Sequence, residues 1–361
     1  MSVLEVTERT EVTTKERRQR RRTKKIFYSL MSMRSVNMRS PQTSPVAVQS
    51  PFTGLPASLT STRTNFVRLR SPRFFVVTSV LFVIFVTSLT SLVAAQPAPA
   101  PQRIISLIPA VTEMLFALGA GSQVVAVSSF DRYPPEVTKL QRVGALIDPD
   151  VERILALRPD LVAVYSSQDD LRAQLERAHV PVYVYSHAAL GDITATMKAI
   201  GERVGRGREA DELTRRIASR IAAIRQRLRG QPRPRTLIVF DREPFALRGI
   251  YASGGFGFIH DMVEAAGGEN VFADVKQQAV QATTELILSR RPDVILELRG
   301  DPLPPDGRRR EIAVWQALSS VPAVRTSRVY FLDQQVTVIP GPRVADAIEL
   351  IARTLHADAF R

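Results

Sequence analysis

Two stretches of this chain repeat one pattern: Glu152-RILALR-Pro159-Asp160-LVAV and Glu285-LILSRR-Pro292-Asp293-VILE keep Glu, Pro and Asp in the same spacing. Each reads as a short amphipathic helix that stops before a proline and passes, at the aspartate, into a buried strand. Such a helix must bury its apolar stripe against a sheet, so each copy implies an α/β layer of its own. The repeat therefore argues for two similar lobes.

The pattern around each copy agrees. In the first lobe, 103–190, the apolar runs Ile104–Leu107, Val124–Ser128, Leu161–Tyr165 and Val182–Tyr185 read as strands. Ala110–Leu118, Val151–Leu157 and Leu171–His179 have helical period. In the second lobe, 234–361, the strands are Leu237–Asp241, Val294–Leu298 and Val329–Leu332, and the helices Phe258–Ala266, Thr284–Arg290 and Val344–Leu355. Strand and helix in alternation predict parallel sheets with helices on both faces. Between the lobes, 191–230 is an inter-lobe helical segment, in which the charged stretch Gly207–Arg229 would span roughly 30 Å as one stiff strut.

Charge separates the leader from the rest. The chain of 361 residues has a net charge of +14, but residues 1–73 hold 15 Lys/Arg against 4 Asp/Glu, leaving 34 against 31 for the remainder. A folded part so nearly balanced has no general pull on nucleic acid. There is no cysteine, which excludes disulfides, thiolate metal sites, cysteine nucleophiles and a lipidated N-terminal cysteine. Residues 74–93 form an uncharged run, FFVVTSVLFVIFVTSLTSLV, preceded by Arg68, Arg70 and Arg73 and followed by Ala94-Ala95. Segment 74–95 reads as a Sec-type signal peptide cut near Ala95, hence a periplasmic product; an uncleaved membrane anchor is the competing reading. Residues 1–73 read as a basic disordered extension or a start site placed too far upstream.

RIISLIPAVTEMLFALGAG, VVAVSSFDRYPPEV, VERILALRPDLVAVY, GGENVF and PGPRVADAIELIARTLH occur in that order across 103–361. In this order and spacing they resemble the helical-backbone metal receptors, the class III substrate-binding proteins of ABC importers, and among them the vitamin B12 binders. The resemblance implies two Rossmann-like lobes bridged by a single long backbone helix, a ligand held in the cleft, and delivery to an ABC permease and ATPase complex in the inner membrane by a monomer. Cobalamin or a related corrinoid is the implied cargo, with a ferric siderophore or haem as the alternative. It also implies that Glu152 and Glu285 are the transporter-docking residues, one on each lobe.

Ligands of open α/β folds sit beyond the carboxyl ends of the strands. Those ends offer Phe130, Tyr133, Tyr165, Phe245 and Phe256 as aromatic faces for a broad ring, with Phe258 either there or in the core. Arg242, Gln335 and Arg343 are the polar candidates. Two tryptophans of the vitamin B12 pattern are replaced, at Leu146 and near Ala279, and the sole tryptophan, Trp315, reads as core. The four histidines, His179, His187, His260 and His356, lack ligand spacing, so no metal site is expected; Tyr133, Tyr165 or His187 could serve a haem iron. SGGFGF lacks the lysine and Ser/Thr of a phosphate loop. No nucleophile elbow or catalytic triad is present, and a chelatase-like enzyme acting on a tetrapyrrole is the alternative from another class.

Overall fold

A strand order that reverses direction in the middle of each sheet organises the protein. In the computed structural model, which describes residues 99–186, 189–300 and 302–361, the first sheet contains β1 (Ile104–Ser106), β2 (Val124–Val127), β3 (Gln141–Arg142), β4 (Leu161–Tyr165) and β5 (Val182–Tyr185). All pairs are parallel, in the order β3-β2-β1-β4-β5. Helices α1 (Pro109–Ala117), α2 (Val151–Ala156) and α3 (Asp169–Arg177) alternate with these strands. Because β1 lies between β2 and β4, its carboxyl end is the switch point at which loops diverge and a crevice opens. The basic leader and the run 74–95 lie outside the described residues.

Two helices then cross between the sheets, α4 (Leu190–Arg203) and α5 (Gly207–Arg227). The long backbone helix is α5, with 21 residues and a length of roughly 30 Å. It buries Ala210, Thr214, Ile217, Ile221 and Ile224, a stripe at helical spacing, while its other face is charged. Gly201 sets the fit with α4: a Cβ there would lie 2.5 Å from Ala210 Cβ. On the far side Arg220 pairs with Asp346 at 2.6 Å and Glu349 at 3.2 Å.

The second sheet contains β6 (Arg235–Asp241), β7 (Ile250–Ser253), β8 (Glu269–Asn270), β9 (Ala279–Ala282), β10 (Val294–Leu298) and β11 (Val329–Leu332). Its order is β11-β10-β6-β7-β9, with β8 also paired to β6. The helices are α6 (Phe258–Ala265), α7 (Thr284–Arg290), α8 (Pro305–Ala313), α9 (Pro322–Arg325) and α10 (Val344–Leu355). An all-parallel sheet is not what forms here: β7 runs antiparallel to both β6 and β9. The link from Asp241 to Ile250 is too short for a parallel crossover, which needs a dozen or more residues, so the chain folds back as a hairpin.

The core explains why the lobes are held firmly. One apolar cluster runs from Ile104 and Met114 through Ile217 and Ile221 to Met262 and Ile348, and so belongs to both sheets and the bridge. The outer faces have separate clusters, around Ile154 and Leu175 in the first lobe and around Phe272 and Trp315 in the second. Each isoleucine buried on α5 contributes about 1.5–3 kcal/mol to joining lobes and bridge.

Candidate functional site

The carboxyl ends of the two sheets face each other. Glu113, in the helix that follows β1, accepts from Arg343 Nε at 2.9 Å and Nη2 at 2.6 Å, and Arg343 follows β11. This places the crevice where open α/β sheets hold ligands. Four aromatic side chains are exposed among the described residues: Phe130 at 44%, Tyr133 at 41%, Phe245 at 53% and Phe256 at 43%. Phe130 and Tyr133 sit on the loop after β2, Phe245 on the loop after β6. Phe256 precedes α6, whose Asp261 Oδ2 accepts the Leu190 N–H at 2.8 Å just beyond the carboxyl end of β5. An exposed phenylalanine loses the favourable free energy of burial, so these four aromatics on loops are the candidates for a recognition surface.

The aromatic loops after β2 and β6 each have a buried anchor. In the first lobe Asp131 Oδ2 accepts from Ser128 N at 2.9 Å and Ser128 Oγ at 2.5 Å. Its Oδ1 is buried without a hydrogen-bond partner. Burial pushes the Asp131 carboxyl up to about 6, against the hydrogen bonds of Ser128 and the charge of Arg142. Arg142 Nη1 closes the loop by donating to Ser128 O at 2.8 Å and Asp131 O at 2.9 Å. Tyr165, half-buried at the end of β4, stands edge-on to Tyr185 with ring centroids 5.9 Å apart. Burial, then the charge of Asp131, raises the Tyr165 hydroxyl above its ordinary range, which keeps it a neutral phenol.

In the second lobe Arg242 corrects an expectation. Its side chain is fully buried and bonds Glu297 Oε1 at 2.8 Å and Glu311 Oε2 at 2.6 Å, so it is an internal ion pair and offers nothing to a ligand. Trp315 Nε1 donates to the same Glu297 oxygen at 2.7 Å, and Arg299 Nη2 reaches Glu297 Oε2 at 2.8 Å. The network meets the aromatic loop where the Phe245 N–H donates to Glu311 Oε2 at 3.2 Å. Arg242 Nη1 also donates to Glu243 O and Ala246 O, both at 3.2 Å. These bonds hold Phe245 at φ 58°, the left-handed region, which a phenylalanine avoids unless its surroundings fix it. The Arg310 guanidinium lies 5.7 Å from the Phe245 ring centroid. Gln335 is half-buried in a turn after β11.

The repeated segments are now explained residue by residue. Asp160 accepts the N–H groups of Gln102 and Arg103 at 2.7 and 2.8 Å, and Asp293 accepts that of Arg235 at 3.1 Å, so each aspartate fixes the entry of β1 or β6. Arg158 and Arg291, before the prolines, take φ 47° and 48° and end their helices alike. Asp150 and Thr283 cap the helices by accepting from Arg153 N at 3.0 Å and Leu286 N at 3.2 Å. Glu152 and Glu285 are each the second residue of their helix, α2 and α7, and both are exposed. Hydrogen bonds from its own backbone N–H and from Thr283 hold the Glu285 carboxyl below its usual range. The glutamate pins no strand, and both copies are exposed at the same position of their helices.

The model of the family described as periplasmic binding protein matches residues 104–336. The chain belongs to the periplasmic binding protein family. An ABC transporter substrate-binding lipoprotein of Bacillus subtilis, itself uncharacterized, is 30% identical over 72% of this chain and 82% of its own length. The vitamin B12-binding protein of Pectobacterium carotovorum is 30% identical over 77% of this chain and 97% of its own. The periplasmic heme-binding protein of a Roseiflexus species, a solved apo structure, is 28% identical, covers 72% of this chain and 99% of its own, and has a TM-score of 0.62. The chain is thus a substrate-binding protein of ABC importers, with the two-lobed class III fold.

Within this periplasmic binding protein the remaining candidates have structural duties. Phe258 is core, as is Trp315. Gly254 and Gly255 permit close backbone approach: a Cβ would lie 2.2 Å from Gln277 O and 2.0 Å from Ala273 O, so SGGFGF is a packed turn. His260 Nδ1 lies 3.3 Å from Asn270 Nδ2, and His356 Nε2 lies 3.3 Å from Gly267 O. His187 is outside the described residues. No group of three or more His, Cys, Asp or Glu among the described residues could hold a metal ion. Leu146 lends only its carbonyl, to Gln168 Nε2 at 3.0 Å, and Ala279 is buried in β9.

Proposed function

We propose that this protein captures cobalamin or a related corrinoid in the periplasm and delivers it to an ABC permease and ATPase complex, acting as a binder and not as an enzyme. The observation that carries the cargo reading is the pairing of the arginines in and behind the cleft. Arg242 and Arg299 face Glu297 and Glu311, and Arg343 faces Glu113, so three cations meet three carboxylates. Beside these paired charges stand the exposed aromatic faces of Phe130, Tyr133 and Phe245. A corrin ring with neutral amide arms suits such a site, whereas a porphyrin with two carboxylates calls for two free cations. Arg310, stacked against Phe245 and without an ion-pair partner among the described residues, can meet a single phosphodiester.

Likeness to a heme-binding protein supports haem as the second reading, with the Tyr133 or Tyr165 hydroxyl as the iron ligand. A thermal-shift panel of cyanocobalamin, dicyanocobinamide, haemin and ferric siderophores tests the choice. A ligand at 100 times its Kd stabilises by about 2.7 kcal/mol. Corrinoids are expected to raise Tm and haemin to leave it unchanged; the reverse pattern replaces the cargo.

Delivery would use Glu152 and Glu285, held at equivalent positions of the two lobes. Reversing both, Glu152→Arg with Glu285→Arg, is expected to abolish stimulation of the transporter's ATPase while leaving ligand affinity intact. An equal fall in affinity removes the docking assignment. The run 74–95, as a signal peptide, supplies the export route, and N-terminal sequencing of the secreted protein checks it.

A further inference from the structure

Arg343 joins three segments that reach the cleft from different directions. Its guanidinium makes a two-pronged bond to Glu113, 230 positions away in sequence. Its carbon lies 3.8 Å from the centroid of the Tyr133 ring. Glu113 belongs to α1 and Tyr133 to the loop after β2, both in the first lobe. Arg343 stands at the start of α10 in the second.

Three features show that this contact is built in. Glu113 sits among Ala110, Val111, Met114 and Leu115, all buried, where an unpaired carboxylate is costly. Burial does push its carboxyl up, and the hydrogen bond and charge of Arg343 oppose that push. Arg343 is the N-cap of α10, an end where the helix dipole disfavours a cation, so its own helix gives no reason for the charge. Gly341 leaves the room: a Cβ there would lie 3.2 Å from Glu113 Oε2. A planar guanidinium can give its edge to a carboxylate and its face to a ring at once, which an ammonium cannot.

We propose that Arg343 is the positioning residue of the cleft, fixing Tyr133 as one wall and holding the two lobes at their ligand-ready separation before any ligand arrives. The role of Tyr133 rests on the reading of the crevice as the ligand site; the hold on the lobes does not. A wall fixed in advance loses less entropy on binding, which favours affinity without adding a contact.

The test has two arms. Because the chain has no cysteine, Glu176→Cys and Ser289→Cys, on exposed positions of α3 and α7, place one spin label on each lobe. Without ligand, the inter-label distance distribution is expected to be narrow, to broaden in Arg343→Met and in Glu113→Gln, and to be intermediate in Arg343→Lys. An unchanged distribution in all three overturns the hold. In the second arm cyanocobalamin is the probe. Arg343→Met is expected to weaken binding about tenfold, and Tyr133→Ala about fivefold in the parent but under about twofold in the Arg343→Met background. Full additivity overturns the positioning of Tyr133. If Arg343→Met does not fold, judged by near-ultraviolet circular dichroism of Trp315, Arg343→Lys carries both arms. A parent that binds no corrinoid refutes the cargo reading, while the distance arm still decides the hold on the lobes.

Discussion

The two lobes present their exposed aromatics by different electrostatic means. Phe130 and Tyr133 ride on a loop anchored by Asp131, a buried carboxylate that rests on Ser128 and forms no ion pair among the described residues. Phe245 rides on a loop anchored by Glu311, a buried carboxylate that meets Arg242 at 2.6 Å. One anchor takes up a proton at about pH 6; the other is locked by a buried cation. The loop of the first lobe can therefore respond to acidity through Asp131, while that of the second is held by a buried ion pair.

The sharpest way to break the contrast is to remove the locking cation. Arg242→Met leaves Glu297 and Glu311 buried without their main partner and is expected to cost about 3–5 kcal/mol in urea denaturation at neutral pH. A cost under about 1 kcal/mol, that of an exposed ion pair, would show that Arg242 does not lock the second loop.

Next in size is the pH dependence of the other anchor. The Asp131 carboxyl is raised to about 6 in the folded protein, against about 3.9 in an unfolded chain. As pH rises between these values the unfolded state loses its proton first, so this group makes folding less favourable through that window and adds no further slope above it. The change is on the order of a few kcal/mol. Asp131→Asn is expected to flatten stability between about pH 4 and 6; an unaltered profile would place the titration elsewhere.

Much of this was legible in residues close together in sequence. The Glu–Pro–Asp repeat announced both lobes, because a proline stop and an aspartate at a strand entrance are local devices. The exposed aromatics lie within a few residues of strand ends, so their positions are local information as well. The partners of buried charges were harder, since they are set by tertiary contacts between distant segments. Arg242, just past a strand, looks like a cleft residue until Glu297, 55 positions on, is seen beside it. A signal was there: Glu297 interrupts the apolar run VILEL and Glu113 the run PAVTEMLFA, and a carboxylate in either place requires a partner. The antiparallel β7 and β9 were missed because IYAS and AVQA are short and weakly apolar.

Titration calorimetry with cyanocobalamin tests the central claim, capture of a corrinoid between the two lobes, most directly. One molecule should bind per chain, and Phe130→Ala and Phe245→Ala, one from each lobe, should each weaken binding by about 1 kcal/mol, or fivefold. Absence of corrinoid binding, or binding that both substitutions leave untouched, would contradict it.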